Sequence, residues 1–167
     1  MEGALLSRDL TNKFLKNKWH NGNNENFLFD DVLDLIGQKL QDHDIHVGTD
    51  SNPSKVPLTV ALTIALIKPR AGGHYYWTKI KLPIGRDLSL HERLSCEAEV
   101  SCNIGERIKE RYPGSDITIH VDVNSSTAFA SGKYAKQLTK FVRAFGFFVV
   151  IKPLSWAASS VADRHAY

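Results

Sequence analysis

The feature that most constrains the fold is an apolar stretch of alternating side chains near the middle of the chain. From Val56 to Ile67, bulky residues alternate with small ones, and the bulky set is Leu58, Val60, Leu62, Ile64 and Leu66. This period of two predicts a β-strand with one bulky face and one small face. A second strand is predicted just before it, from His43 to Asp50, and a third follows the turn "RAGGH" in "YYWTKIKLP". The three strands are expected to form an antiparallel meander.

The rest of the chain alternates helices with strands. A helical pattern from Leu88 to Arg111 precedes the strand "DITIHVDV", and a second one from Thr127 to Phe145 precedes the strand "FFVVIKP". The segment "SWAASSVADRHAY" predicts a last helix. Strands that are separated by helices pair in parallel through right-handed crossovers. The expected fold class is therefore α/β, with a five-stranded mixed sheet of three antiparallel strands and two parallel additions, flanked by helices.

A polar break divides the chain into a short first part and a main domain. The break is "HNGNNEN", from His20 to Asn26, and its composition is typical of a loop. Residues 1–26 are predicted to be an N-terminal arm or extension. Residues 27–167 are predicted to form the main domain, which begins with an added helix over residues 27–41, where apolar residues recur at helical spacing.

Composition narrows the class of protein without identifying it. The chain has 167 residues, a formal net charge of +3 and two cysteines. This length suits one domain with a sizeable core, and the small positive charge is compatible with a polyanionic partner without requiring one. Two cysteines are too few for a disulfide framework, and the first residues have no signal-peptide pattern. We therefore expect a cytoplasmic protein with no membrane association.

Two acidic residues end strands that are expected to be parallel. Asp50 ends the strand in "IHVGTDSN", and Asp122 lies at the end of the strand in "TIHVDVN". If these strands are neighbours, both carboxylates lie at the same edge of the sheet, where ligands of α/β proteins gather. Two adjacent carboxylates repel unless one is protonated or a cation lies between them. The alternative is that each aspartate only forms a turn with the Ser and Asn residues that follow it.

Two further acids come from the predicted helices. Glu97 falls near the middle of the apolar stripe of the long helix, where an isolated ion would cost several kcal/mol and needs a partner or a cation. A neutral Glu97 at the rim of the core is the alternative, and Glu92 is the fallback if the helix begins elsewhere. Asp163 stands in the last predicted helix, where small residues would allow close packing on the sheet, although Arg164 and His165 could balance its charge locally.

Four carboxylates from two strands and two helices suit a pair of metal ions. Hard divalent cations prefer oxygen ligands, and two of them about 3.5–4 Å apart stabilise the attacking and leaving oxygens in phosphoryl transfer. The predicted catalytic and metal-binding residues are Asp50, Glu97, Asp122 and Asp163, with Mg²⁺ or Mn²⁺ as the cofactor.

Several stretches resemble a known group of proteins. The order of elements and the Asp, Glu, Asp, Asp series resemble the ribonuclease H-like superfamily, and "HVGTDSN", "LHERLSCEAE", "IHVDVN" and "IKPLSWAASSVADRHAY" are similar to its YkuK-type branch. The resemblance implies Mg²⁺ or Mn²⁺ held by the acids at these positions. Proofreading-type exonucleases of the superfamily carry a Tyr or His four or five residues before the last Asp, whereas this chain has Ser159 and Ala158. A ribonuclease H- or resolvase-type site is the closer match.

The expected function is metal-dependent hydrolysis of a nucleic-acid phosphodiester, with DNA, RNA or a hybrid as partner. The alternative is a ribonuclease H-like module that binds nucleic acid or protein without cutting it. One strand face interleaves aromatic residues with lysines, namely Tyr75, Trp77, Lys79 and Lys81. This pattern is typical of a solvated sheet face, and it is also compatible with base stacking and phosphate contacts.

Overall fold

The computed structural model describes residues 2–55, 57–82 and 88–162 of the chain. The α-helices are α1 (Glu2–Lys16), α2 (Phe29–Gly37), α3 (Leu90–Arg111) and α4 (Ala135–Ala144). The strands are β1 (Trp19–Asn21), β2 (Asn26–Phe27), β3 (Asp44–Asn52), β4 (Leu58–Lys68), β5 (Gly72–Leu82), β6 (Ile117–Asn124) and β7 (Phe148–Lys152). A 3-10 turn, Gly132–Tyr134, precedes α4, and a π-helix, Ala157–Ala162, follows β7.

The sheet is mixed, as the order of elements predicts, but it has seven strands rather than five. The strand order is β2-β1-β5-β4-β3-β6-β7. Strands β3, β4 and β5 form the antiparallel meander, and β6 and β7 add in parallel beside β3. The two extra strands are β1 and β2, which come from the polar segment that was predicted to be a loop. They are only three and two residues long, and they form because β1 pairs with the edge of β5.

The alternation in β4 has a clear structural role. Its bulky residues join the main hydrophobic core, to which all four α-helices contribute. The small residue Ala61 is also completely buried, but on the other face, where it contacts Ala162 of the π-helix. Both faces of β4 are therefore covered, and the small face allows the π-helix to approach the sheet closely.

Residues 2–27 are joined to the main body by packing and by specific hydrogen bonds. Phe14 and Trp19 are fully buried, and the indole N–H of Trp19 donates to the carbonyl oxygen of Phe14. The amide of Asn103 in α3 donates to the hydroxyl of Thr11 in α1 at 3.1 Å. Helix α1 thus packs against α3 and the edge of β5.

The helix predicted from Thr127 is wrong at its first part, because α4 begins only at Ala135. The preceding residues form tight turns in which the backbone N–H of Phe129 donates to the carbonyl oxygen of Ser126. A Cβ atom at Gly132 would lie 1.9 Å from that same carbonyl oxygen. Glycine permits this close approach, and the turns replace the first helical turns that periodicity predicts. None of the helices in the described ranges is long and apolar enough to cross a membrane.

Candidate functional site

The parallel pairing of β3 and β6 brings Asp50 and Asp122 to equivalent positions. The last residue pair of this ladder is Gly48 with His120, and each aspartate lies two residues further along its strand. Because side chains alternate along a strand, both aspartates belong to the same face as that pair. Neighbouring strands lie about 4.8 Å apart. The strand topology therefore places the two acids at one end of adjacent parallel strands, as predicted.

This face of the sheet is the one on which the π-helix lies. Asp50 pairs with Ala61 of β4, and Ala61 packs on Ala162 of the π-helix. Asp50 is only 6% exposed, whereas the side chain of Asp122 is 20% exposed. Asp50 is thus enclosed between the sheet and the π-helix, and Asp122 is the more accessible of the two carboxylates.

Glu97 lies on α3, buried as its position in the apolar stripe predicts. The hydroxyl of Ser51 donates to Glu97 Oε1 at 2.6 Å, and the guanidinium of Arg93 donates to the same oxygen at 3.1 Å. Burial raises the pKa of Glu97 to about 7, against the lowering effects of Arg93 and Ser51. The negative charge of Asp122 also raises this pKa, since the two carboxylates are near enough to repel. The pocket that holds Glu97 therefore opposes its ionisation.

The fallback glutamate has a structural role instead. Ser89 begins α3 as its N-cap, and Glu92 accepts hydrogen bonds from the backbone N–H and the hydroxyl of Ser89. This reciprocal arrangement is a capping box, which stabilises the first turn of a helix. Glu92 is exposed at that end of α3. Glu97, and not Glu92, is therefore the buried carboxylate of α3. Because Ser51 directly follows Asp50 in β3, the Ser51 side chain that binds Glu97 lies on the opposite face of the sheet from Asp50.

Two cationic side chains partly balance the negative charge of Glu97 and Asp122. Arg93 contacts Glu97 as described, and Lys152 Nζ lies 2.9 Å from Asp122 Oδ1 in an ion pair. The pairing of Arg93 with Glu97 follows the helical i,i+4 spacing, which is a signal present in the sequence. Lys152 is 30 residues from Asp122 along the chain and meets it only because β6 and β7 pair in parallel.

Two histidines that the sequence did not assign to any site lie beside the acids on the π-helix face. His120 is buried, and its Nδ1 accepts a hydrogen bond from the backbone N–H of Ala157 at 3.3 Å. This bond leaves the proton of a neutral His120 on Nε2, which lies 2.9 Å from Nδ1 of His46. Both rings also contact Trp156. The histidine pair thus links the start of the π-helix to β3 and β6 through a hydrogen bond and ring contacts.

The fourth predicted acid, Asp163, lies outside the described residues. Within the described ranges, no group of three or more His, Cys, Asp or Glu side chains is arranged to hold a metal ion. Oxygen donors for a hard cation are nevertheless present, because the buried Glu97 Oε2 accepts no hydrogen bond from any described residue. Carboxylate oxygens of this kind suit Mg²⁺ and Mn²⁺ in their chemistry. The described acids therefore supply donor atoms of the right kind, but within the described ranges they do not form a metal-binding cluster.

Comparison with known proteins identifies the family of the chain. A family model described as ribonuclease H-like matches residues 28–167 of this chain. No curated protein and no solved structure matches it. The match includes β3, α3, β6 and β7, the elements that carry the acids and their compensating cations. The chain belongs to the ribonuclease H-like family.

Proposed function

We propose that the chain is a divalent-metal-dependent nuclease that hydrolyses a nucleic-acid phosphodiester by ribonuclease H- or resolvase-type chemistry. We further propose that it is a member of the YkuK-type branch of its family. The observation that carries the proposal is the buried Glu97 on α3, whose Oε2 has no hydrogen-bond partner among the described residues and whose pKa is raised in part by the charge of Asp122. A buried carboxylate in this state is costly to the fold, and it is explained most simply by a ligand that binds it.

The residues that would hold Mg²⁺ or Mn²⁺, in one or two sites, are Asp50, Glu97, Asp122 and Asp163. A divalent cation bound there would act as a Lewis acid toward a phosphodiester. The chain's own residues would orient the site. Ser51 and Arg93 hold Glu97 through Oε1 and leave Oε2 for a ligand. Lys152 lies beside Asp122, where it could bind a phosphate oxygen of the substrate.

Cleavage assays with paired aspartate variants test this proposal. Labelled single-stranded, duplex and hybrid substrates are incubated with the protein in Mg²⁺, Mn²⁺ or EDTA. We expect cleavage only with a metal ion, and its loss in Asp122→Asn, because the amide is a weaker ligand. Asp116→Asn is the matched control, since Asp116 is an exposed acid directly before the same strand. Equal cleavage by both variants would show that Asp122 has no role in catalysis.

A second candidate function is a module that binds nucleic acid or protein without cutting it. The observation that favours it is the pairing of Glu97 with Arg93 and of Asp122 with Lys152, because these cations already supply positive charge to two of the acids. Thermal unfolding in millimolar Mn²⁺ separates the two functions. A nuclease site should be stabilised by preferential binding of the ion to the folded state, and Asp122→Asn should remove that shift. No shift and no cleavage, with nucleic-acid binding retained, would leave the binding module.

A further inference from the structure

A groove of about 410 Å³ runs along the edge of β5, beside the end of α1. Strand β1 pairs with β5 at Tyr76 and Trp77, and within the described ranges no strand pairs with the later part of that edge. The residues that line the groove are Lys13, Lys16, Asn17, Lys79, Ile80 and Lys81. Two segments more than 60 residues apart in the chain thus contribute lysines to one concave surface, which we call the lysine groove.

Hydrogen bonds hold the two sides of the lysine groove together. The side-chain amide of Asn17 donates to Thr78 Oγ1 at 3.0 Å and to the carbonyl oxygen of Lys79 at 2.9 Å. The hydroxyl of Thr78 in turn donates to the carbonyl oxygen of Lys18 at 2.9 Å. These bonds replace the missing strand at this part of the β5 edge. The spacing between the lysines of α1 and those of β5 is therefore set by the fold.

The lysine groove is a local concentration of positive charge. Its four lysines are exposed, and within the described ranges none of them forms an ion pair with an acid. Together they carry more positive charge than the net +3 of the whole chain. Lysines are common in the last turn of a helix and on the open edge of a sheet. Each of these tendencies explains one pair of lysines, but neither explains why the pairs meet in one groove with no acid in its lining.

The register of the sheet relates the lysine groove to the acids. Lys79 pairs with Ala61 of β4, and Ala61 pairs with Asp50 of β3, so Lys79 and Asp50 belong to one row on one face of the sheet. Two strand spacings separate them, which is about 10 Å. On the same face Lys79 Nζ lies 5.8 Å from the ring centre of Trp77, and the ring of His20 lies against Trp77 at 4.8 Å. The lysines of β5 are thus within a few nucleotides' length of the candidate site.

We propose that the lysine groove binds the sugar-phosphate backbone of the nucleic acid on which the candidate site acts. A row of lysines without base-reading side chains suits phosphates and would bind them with little sequence preference. Half of this surface comes from α1, which lies outside the residues matched by the family model. The identity of the ligand rests on the proposed function, whereas the polyanion site rests on the lysines themselves.

Pairwise substitutions test the two sides of the groove separately. Lys13→Gln with Lys16→Gln removes the helix side, and Lys79→Gln with Lys81→Gln removes the strand side. The matched control is Lys136→Gln with Lys140→Gln on the exposed face of α4. Binding of labelled single-stranded and duplex oligonucleotides is measured by fluorescence anisotropy in EDTA over a range of salt concentrations, and thermal unfolding verifies that each variant folds.

We expect each groove pair to lower the slope of log K against log salt by roughly 1.4–1.8, since each phosphate contact contributes about 0.7–0.9. The control pair should leave the slope unchanged. Wild-type slopes in both groove variants would overturn the proposal, as would a loss confined to the α4 pair, which would place the backbone on that helix. A wild-type protein that binds no oligonucleotide would overturn it as well.

The binding assay in EDTA keeps this proposal separate from the nuclease proposal. If the wild type cleaves and the groove variants bind normally, only the lysine groove is refuted. If the groove variants lose binding and no substrate is ever cleaved, only the nuclease is refuted and the groove stands as the surface of a binding module.

Discussion

Replacement of the buried glutamate by its neutral isostere should remove a predictable part of the pH dependence of this protein's stability. The pKa of Glu97 rises from an ordinary 4.5 to about 7 because of burial. The folded protein therefore holds this proton more tightly than the unfolded chain does. The contribution of Glu97 to the free energy of unfolding is fully present below pH 4.5, where this group is protonated in both states. The contribution is lost as the pH rises toward 7, because Glu97 of the unfolded chain ionises first.

The size of the effect follows from the pKa change. A rise from 4.5 to about 7 corresponds to roughly 3 kcal/mol of folding free energy, at 1.36 kcal/mol for each pKa unit. Glu97→Gln carries no charge at any pH, and its amide oxygen can still accept from Ser51 and Arg93. We therefore expect the variant to gain about 3 kcal/mol relative to wild type between pH 4.5 and pH 8.

Urea denaturation of both proteins at intervals from pH 4 to pH 8.5 measures this difference directly. The comparison cancels other groups, such as His120, whose burial lowers its pKa and changes stability in the opposite direction. Glu106→Gln is the matched control, because Glu106 is an exposed glutamate on the same helix. Millimolar Mn²⁺ should reduce the difference at pH 8, since a bound cation favours the ionised carboxylate. A free-energy difference that stays constant across this pH range would refute the reasoning.

Further substitutions test the groups that shift the Glu97 pKa, the turn before α4 and the hydrogen bond that holds the π-helix. Arg93→Met removes the cation that lowers the Glu97 pKa and should move the pH-dependent loss of stability to higher pH. Asp122→Asn removes a repelling charge and should move that loss to lower pH. An unchanged pH dependence in both variants would contradict the assigned causes. Gly132→Ala puts a Cβ atom 1.9 Å from a carbonyl oxygen and should cost about 1–3 kcal/mol in urea denaturation, and an unchanged midpoint would show that the turn can relax. His120→Phe removes the acceptor for the backbone N–H of Ala157 and should speed hydrogen exchange at that amide; unchanged exchange would mean that the bond does not hold the π-helix.

Much of the architecture could be predicted because burial leaves a periodic pattern in the sequence. The period of two in β4 predicted a strand with one bulky face and one small face, and the helical stripe of α3 predicted the burial of Glu97. The positions of Asp50 and Asp122 followed from the rule that helices separate parallel strands, and β3 and β6 do pair in parallel. The first two features depend on residues that are close together in the chain, whereas the third follows from a general rule for connections between parallel strands.

The short strands, the start of α4 and the contacts between charged residues could not be predicted from local sequence patterns. Strands β1 and β2 lie in a polar segment with no alternation, and they exist because the edge of β5 offers hydrogen-bond partners. Periodicity extended α4 to Thr127, but the close approach of Gly132 to the carbonyl oxygen of Ser126 gives tight turns in place of those helical turns. The pairing of Lys152 with Asp122 and the meeting of α1 with β5 at the lysine groove join residues far apart in the chain. A sequence pattern reports whether a residue is buried, but only the packed fold determines which charges it meets there.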